Sequence, residues 1–149
     1  MPRVAPITGK SDVPTEHQAV VESVVNVFGG VRGPFSMLLH SPKLAERMLS
    51  LVTFFRARRN GLREDVIDLI RAKGDPGKLP AEERDIVAYT RQLMRTNRVD
   101  QSLFDALQKR FGTQWLVEMT AAVNYYALLC GVVNAFEVAA PPDGDKLPA

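Results

Sequence analysis

The sequence has few of the residues that supply redox and metal chemistry. Its 149 residues include one cysteine, Cys130, and two histidines, His17 and His40. A single thiol excludes an intramolecular disulfide, a cysteine-rich zinc site and the paired thiols of a two-cysteine redox centre. We therefore expect neither a metal nor a cofactor.

Neither sign of charge is in large excess. Nineteen basic and 17 acidic residues leave a net charge of +2, whereas sequence-independent nucleic-acid binding depends on many cations that neutralise phosphates. The basic cluster of Arg56, Arg58, Arg59 and Arg63 is interpreted as solvated surface, with an anionic partner as the alternative. A helix-turn-helix around residues 97–100 is disfavoured, because the basic residues of the second helix lie near its end. No nucleic-acid partner is predicted.

The longest uncharged run, residues 119–136, has 18 residues and lies at the lower edge of a membrane span. Tyr125 and Tyr126 lie in its middle, whereas aromatic residues of a span usually lie at its ends. The first residues also lack the apolar segment of a secretory signal. These features predict a buried core helix, no membrane partner and a cytoplasmic location.

The periodicity of the apolar residues predicts an all-α fold: a single-domain bundle of six to seven helices. The expected organisation is an extended arm over residues 1–13, a helical domain over 14–138 and a flexible tail over 139–149. The last helix, which begins at Thr113, is apolar nearly all round, so we expect other helices to surround it. Cys130 is then buried and inert.

Each earlier helix has an apolar face that is predicted to point inward. The faces are predicted to include Val20, Val21, Val24, Val25 and Phe28; Leu44, Met48, Leu51, Val52 and Phe55; Val66, Ile67 and Ile70; and Ile86, Tyr89, Thr90, Leu93 and Met94. Stop signals are expected at Gly29, Gly61 and Gly112, and a Ser41–Pro42 start signal opens the second long helix.

Two stretches carry a family resemblance. Residues 31–45 read VRGPFSMLLHSPKLA, and residues 89–138 contain YTRQLMRTNRV, FDAL, NYY and NAFEV in that order. Both stretches resemble the carboxymuconolactone decarboxylase family, within the alkylhydroperoxidase D-like superfamily. The resemblance covers roughly residues 14–138 and implies an all-helical fold and a homo-oligomer, often a trimer or hexamer. The named member of the family decarboxylates a lactone in aromatic catabolism.

The resemblance is interrupted where that family carries its catalytic residues. Peroxidase relatives use a Cys-x-x-Cys pair with a nearby Glu and His on a central helical hairpin. Here the chain passes from Phe55 almost directly to Gly61, so a block long enough for two helices is missing. None of the family's catalytic residues has a counterpart in this chain, and paired-thiol peroxidase activity is disfavoured. The neighbouring apolar faces should then be covered by a homo-oligomer or by repacking.

Five residues remain as candidates for chemistry. His40, before a helix start, is a general acid or base or a ligand for a carboxylate; the alternative is a surface or capping histidine. Arg32 pairs with a substrate carboxylate or is a solvated loop residue. Tyr125, Tyr126 and Asn134 line a pocket or, as the pattern favours, form hydrogen bonds between helices or subunits.

Two functions follow from the resemblance. The first is an enzyme that acts on a small anionic compound, a carboxylated lactone, by proton transfer and decarboxylation, with His40 as acid or base and Arg32 as carboxylate anchor. The second is a non-catalytic relative that binds a small molecule or acts as an assembly module.

Overall fold

The computed structural model describes residues 2–56 and 64–140, and every regular element in these ranges is helical. The α-helices are α1 Gln18–Phe28, α2 Phe35–Leu38, α3 Pro42–Arg56, α4 Glu64–Arg71, α5 Ala81–Thr96 and α6 Gln101–Ala135. Three short 3-10 turns cover Lys10–Asp12, Thr15–His17 and Pro76–Lys78. The predicted all-α class is confirmed.

The described residues form two compact units. One unit contains residues 2–56 and 128–140, and the other contains residues 64–127. In the first unit α1 and α2 both pack against α3. Its buried side chains come from all three helices, and they include Val21, Val24, Phe35, Leu38, Ala45, Leu49 and Val52.

Local signals set the ends of the first helices. Gly29 follows α1 with φ of 77°, and its N–H donates to the Val25 carbonyl at 2.7 Å. Glycine adopts this left-handed conformation without steric cost, which explains the stop. α3 begins at Pro42, as the Ser41–Pro42 pair predicts. Both predictions are confirmed.

Some sequence predictions fall on residues 57–63 or 141–149, which lie outside the described residues. They are the end of α3 at Arg58, the stop at Gly61, the basic side chains of Arg58, Arg59 and Arg63, and most of the C-terminal tail. The junction at which the resemblance implies a missing hairpin also falls in the first of these ranges. These predictions stay predictions.

The second unit is built on Tyr89, Leu107 and Leu116, all of them buried. Partly buried apolar side chains from α5, α6 and the loop between them surround these three residues: Ile86, Leu93, Val99, Leu103, Phe104, Phe111, Trp115 and Met119. Gly112 interrupts α6 with φ of 83° and ψ of 164°, so the helix has two segments. The predicted break at Gly112 is confirmed.

The prediction that helices surround the last helix is wrong for this chain by itself. Only 11% of the most apolar 18-residue window of α6 is buried, and Cys130 is exposed rather than buried. The mean hydropathy of that window is 1.5, so α6 meets the length and composition of a membrane span, which is weak support for one. Apolar composition predicted burial, but burial requires neighbouring helices that the described residues do not provide.

Several helices are also rotated relative to the predicted inward face. Leu44 and Leu51 on α3 are exposed, while Ala45, Leu49 and Val52 are buried. Both sets have helical spacing, and the stripe of Ala45, Leu49 and Val52 is shifted by one residue from that of Leu44 and Leu51. Periodicity therefore predicts the helix correctly, but packing against α1 and α2 selects the stripe. The same correction applies to Val25, Ile70 and Met94, which are all exposed.

Candidate functional site

A cavity of about 480 Å³ lies in the first unit. Three segments line it: the N-terminal arm, the glycine-rich turn over residues 29–33 together with Ser36, and residues 138–140 after α6. Its volume is within the range of about 300–1,000 Å³ that is typical of small-molecule sites. We call it the Arg32 cavity, after the charged side chain in its wall.

The turn that places Arg32 follows from glycine at two positions. Gly29 has φ of 77° and Gly33 has φ of 57°, both in the left-handed region that favours glycine. The chain can therefore leave α1 and enter α2 after a linker of six residues, 29–34. Arg32, between these two glycines, is exposed at the wall of the cavity.

The guanidinium of Arg32 folds back over the end of α1. Its Nη2 donates to the Phe28 carbonyl at 3.1 Å, at the helix terminus where the macrodipole favours a cation. A guanidinium has five N–H donors in a planar fork. The group is therefore oriented by the helix and still suited to a carboxylate.

Ser36 is the buried polar residue of the cavity wall. Its hydroxyl donates to the Gly33 carbonyl at 2.8 Å, and its own carbonyl accepts from the Ile7 N–H at 2.9 Å. The hydroxyl is thus used to hold the glycine turn. No histidine, cysteine, aspartate or glutamate is among the described residues that line the cavity. Arg32 is therefore the charged group of this wall, and no imidazole, thiol or carboxylate of the described residues lines it as a base.

The N-terminal arm is tethered at both of its ends. The Arg3 N–H donates to the Phe136 carbonyl at 3.0 Å, and the Arg3 guanidinium pairs with Glu137 at 2.7 Å. Ile7 and Val13 are buried. The arm is therefore part of the unit's packing, which its proline content did not reveal.

His40 holds the middle of the arm. Its Nε2 lies 3.0 Å from the Ala5 carbonyl. A carbonyl only accepts, so Nε2 carries the proton and Nδ1 is the nitrogen left for a neutral ring to accept with. His40 is exposed and does not line the Arg32 cavity. Arg32 and His40 therefore lie in the same unit, but only Arg32 lines the cavity.

The 3-10 turn near the end of the arm, Lys10–Asp12, contains a carboxylate whose pKa is lowered. Asp12 Oδ2 accepts from the Thr8 N–H at 2.8 Å, the Thr8 hydroxyl at 2.9 Å and the Gly9 N–H at 3.2 Å. These hydrogen bonds, led by that from the Thr8 backbone, hold the pKa of Asp12 below its ordinary value of 3.8. Thr8 also lines the Arg32 cavity, so this turn fixes part of its wall.

The three candidates on α6 differ in exposure. Tyr125 is buried, and its ring meets that of Tyr126 edge-on with centroids 5.7 Å apart. Tyr126 is 48% exposed, and Asn134 is exposed as well. None of the three lines the Arg32 cavity.

Sequence reasoning missed Ser36, Ile7 and Thr8 as parts of the site. A partial signal existed for Ile7 and Val13, because apolar residues in a proline-rich arm predict docking. Val4 of the same arm is exposed, so composition alone does not separate the docked residues. No group of three or more His, Cys, Asp or Glu side chains within residues 2–56 and 64–140 is placed to hold a metal ion.

Comparisons of the chain with protein-family models, with curated proteins and with solved structures find no match.

Proposed function

We propose that this chain is a carboxymuconolactone decarboxylase-like protein that binds a small carboxylated organic molecule in the Arg32 cavity. The observation that carries this proposal is the placement of Arg32 in the wall of a cavity of suitable volume. Residues 31–45, one of the two stretches with the family resemblance, supply Arg32 and Ser36 to that wall. Binding without turnover is the function that the described residues support best, because none of those that line the wall is a histidine, cysteine, aspartate or glutamate that could act as a general base.

The role of Arg32 as a carboxylate anchor can be tested directly by ligand binding. Isothermal titration of the whole chain with a carboxymuconolactone should give saturable binding. Arg32→Gln should weaken it about tenfold or more, since a charge-assisted bidentate contact is lost. The matched control is Arg47→Gln on α3, an exposed arginine that does not line the cavity. Equal affinities for the wild type and Arg32→Gln would refute the anchor role.

Decarboxylation of the same lactone is the second candidate, with His40 as the acid or base. In that reaction the carbon–carbon bond to the carboxylate breaks, CO₂ leaves, and the electron pair left on the lactone takes up a proton. His40 holds the carbonyl of Ala5, which directly precedes the cavity-lining Pro6. His40 itself does not line the cavity, so this function requires the imidazole to approach the bound lactone. CO₂ release that His40→Gln abolishes, with lactone binding intact, would support this function over binding alone.

The chain is further proposed to act as a cytoplasmic homo-oligomer. Its support is the exposed apolar surface of α6, where Val117, Tyr126 and Leu128 are each more than two-fifths exposed. Association with a partner removes such side chains from water, which is favourable in proportion to the apolar area buried. The resemblance favours a trimer or hexamer.

A further inference from the structure

A second cavity, of about 320 Å³, lies between α4 and α5 in the second unit. Val66 and Ile70 of α4 line one side, and Ile86, Val87 and Thr90 of α5 line the other. The residues of each side recur at intervals of three and four, so each set forms a stripe along its helix. We call this cavity the α4–α5 slot, and none of its residues lines the Arg32 cavity.

The walls of the slot are apolar in character. Val66 is buried beneath it, and Ile70 is 44% exposed at its edge. The hydroxyl of Thr90 donates to the Ile86 carbonyl at 2.9 Å, so its hydrogen is used within α5. An apolar group placed here is removed from water and also covers the exposed part of Ile70, which is favourable in proportion to the area buried. The volume lies at the lower end of the range for small-molecule sites.

The slot has one charged residue towards each end of its α5 wall. Glu83 and Arg91 are eight residues apart, about 12 Å along a helix. Glu83 already has an interaction partner inside the protein. Within residues 2–56 and 64–140, the half-buried Arg91 has no hydrogen-bond or ion-pair partner. The charge that is available to a ligand is therefore positive.

We propose that the α4–α5 slot binds a small amphipathic monocarboxylate, with its alkyl or aryl body between the two helices and its carboxylate on Arg91. The apolar walls exclude a highly polar ligand, because its groups would lose water without gaining partners. Charge complementarity at Arg91 selects an anion over a neutral or cationic molecule of the same shape.

Octanoate, octan-1-ol and octylamine form a matched set of probes for the slot. Each is titrated into the whole chain, and the δ1 methyl signals of Ile70 and Ile86 are followed by ¹³C-methyl NMR. Octanoate should shift both signals saturably and bind about tenfold more tightly than octan-1-ol or octylamine, as expected for one charge-assisted contact. Octylamine binding as tightly as octanoate, or an absence of saturable shifts, would overturn the proposal.

Two substitutions separate the charge from the apolar walls. Arg91→Gln should weaken octanoate about tenfold and leave octan-1-ol unchanged. Arg95→Gln is the matched control, one turn further along α5 and exposed outside the slot, and it should change neither affinity. Val87→Phe should fill the slot and abolish binding of both probes.

If Val87→Phe does not fold, the comparison of Arg91→Gln with Arg95→Gln still tests the site. Full octanoate affinity in Arg91→Gln contradicts the proposal. Arg32→Gln should leave octanoate binding unchanged, since Arg32 lies outside the slot. A loss in Arg32→Gln with none in Arg91→Gln would show instead that octanoate enters the Arg32 cavity.

Discussion

The phenol oxygen of Tyr89 on α5 lies 2.7 Å from the hydroxyl oxygen of Thr120 on α6. The Thr120 hydroxyl donates to the Leu116 carbonyl, also at 2.7 Å, so the Tyr89 hydroxyl is the donor to Thr120. Tyr89 is buried and its phenol is satisfied by this contact. One chain of two hydrogen bonds thus sets how α5 packs along the second segment of α6.

Removing the Tyr89 hydroxyl should lower the free energy of unfolding by about 1 kcal/mol in Tyr89→Phe, the usual net value of one hydrogen bond. Thr120 keeps its bond to Leu116, so no donor is stranded. The measurement is urea denaturation followed by circular dichroism. Tyr126→Phe is the control, because Tyr126 is exposed, and should change stability by less than about 0.5 kcal/mol. Equal effects in the two variants would contradict this account.

Two glycines on α6 should respond in opposite directions to alanine. Gly112 has φ of 83° and ψ of 164°, a conformation that is essentially restricted to glycine, so Gly112→Ala should destabilise the protein by at least about 1 kcal/mol. Gly131 lies within the helix, and a methyl group there meets nothing within 4 Å. Gly131→Ala should stabilise by about 0.5–1 kcal/mol.

The comparison is made by thermal unfolding of both variants under the same conditions. The stabilisation of Gly131→Ala assumes that this face stays open. A destabilised Gly131→Ala, together with a loss of oligomer, would place Gly131 against a partner subunit. A stabilised Gly112→Ala would show that the break in α6 does not exist in solution.

The Asp12 turn should loosen in acid. Because the pKa of Asp12 is lowered in the folded chain, its contribution to stability is fully present above the ordinary value of 3.8. That contribution is lost as the pH falls below 3.8 and through the lowered pKa. A carboxyl NMR titration should place the pKa of Asp12 below 3.8, and Thr8→Ala should move it back towards 3.8. An unchanged pKa in Thr8→Ala would contradict the role of the Thr8 hydroxyl.

The α6 surface should carry the self-association of the chain. Sedimentation velocity of the wild type should show an oligomer, and Val117→Lys should shift it towards monomer because a charge then enters an apolar interface. Val117 is 62% exposed in the single chain, so the substitution leaves the fold intact. Ser102→Lys, an exposed change in the first turn of α6, is the control and should leave the oligomer unchanged. A monomeric wild type would contradict the proposed homo-oligomer.

The candidate site was only partly accessible to sequence reasoning. The glycine pattern and the planar guanidinium pointed to Arg32, which does line a cavity. His40 is a candidate because it directly precedes a helix start, yet its Nε2 donates to the Ala5 carbonyl of the arm instead. The remaining wall comes from residues 2–8 and 138–140, more than a hundred positions apart in the chain. No local sequence pattern predicts that these two segments lie side by side.

Helix class and helix ends follow from local chemistry in this chain. Gly29 and Gly112 stop or break helices because steric limits on φ act within a residue and its neighbours. The buried stripe of α3, the exposure of Cys130 and the cavity beside Arg32 depend instead on contacts between segments distant in sequence. Helical periodicity is compatible with more than one buried stripe, and an apolar helix is buried only where another segment packs against it. Tertiary packing therefore selects which side chains are removed from water.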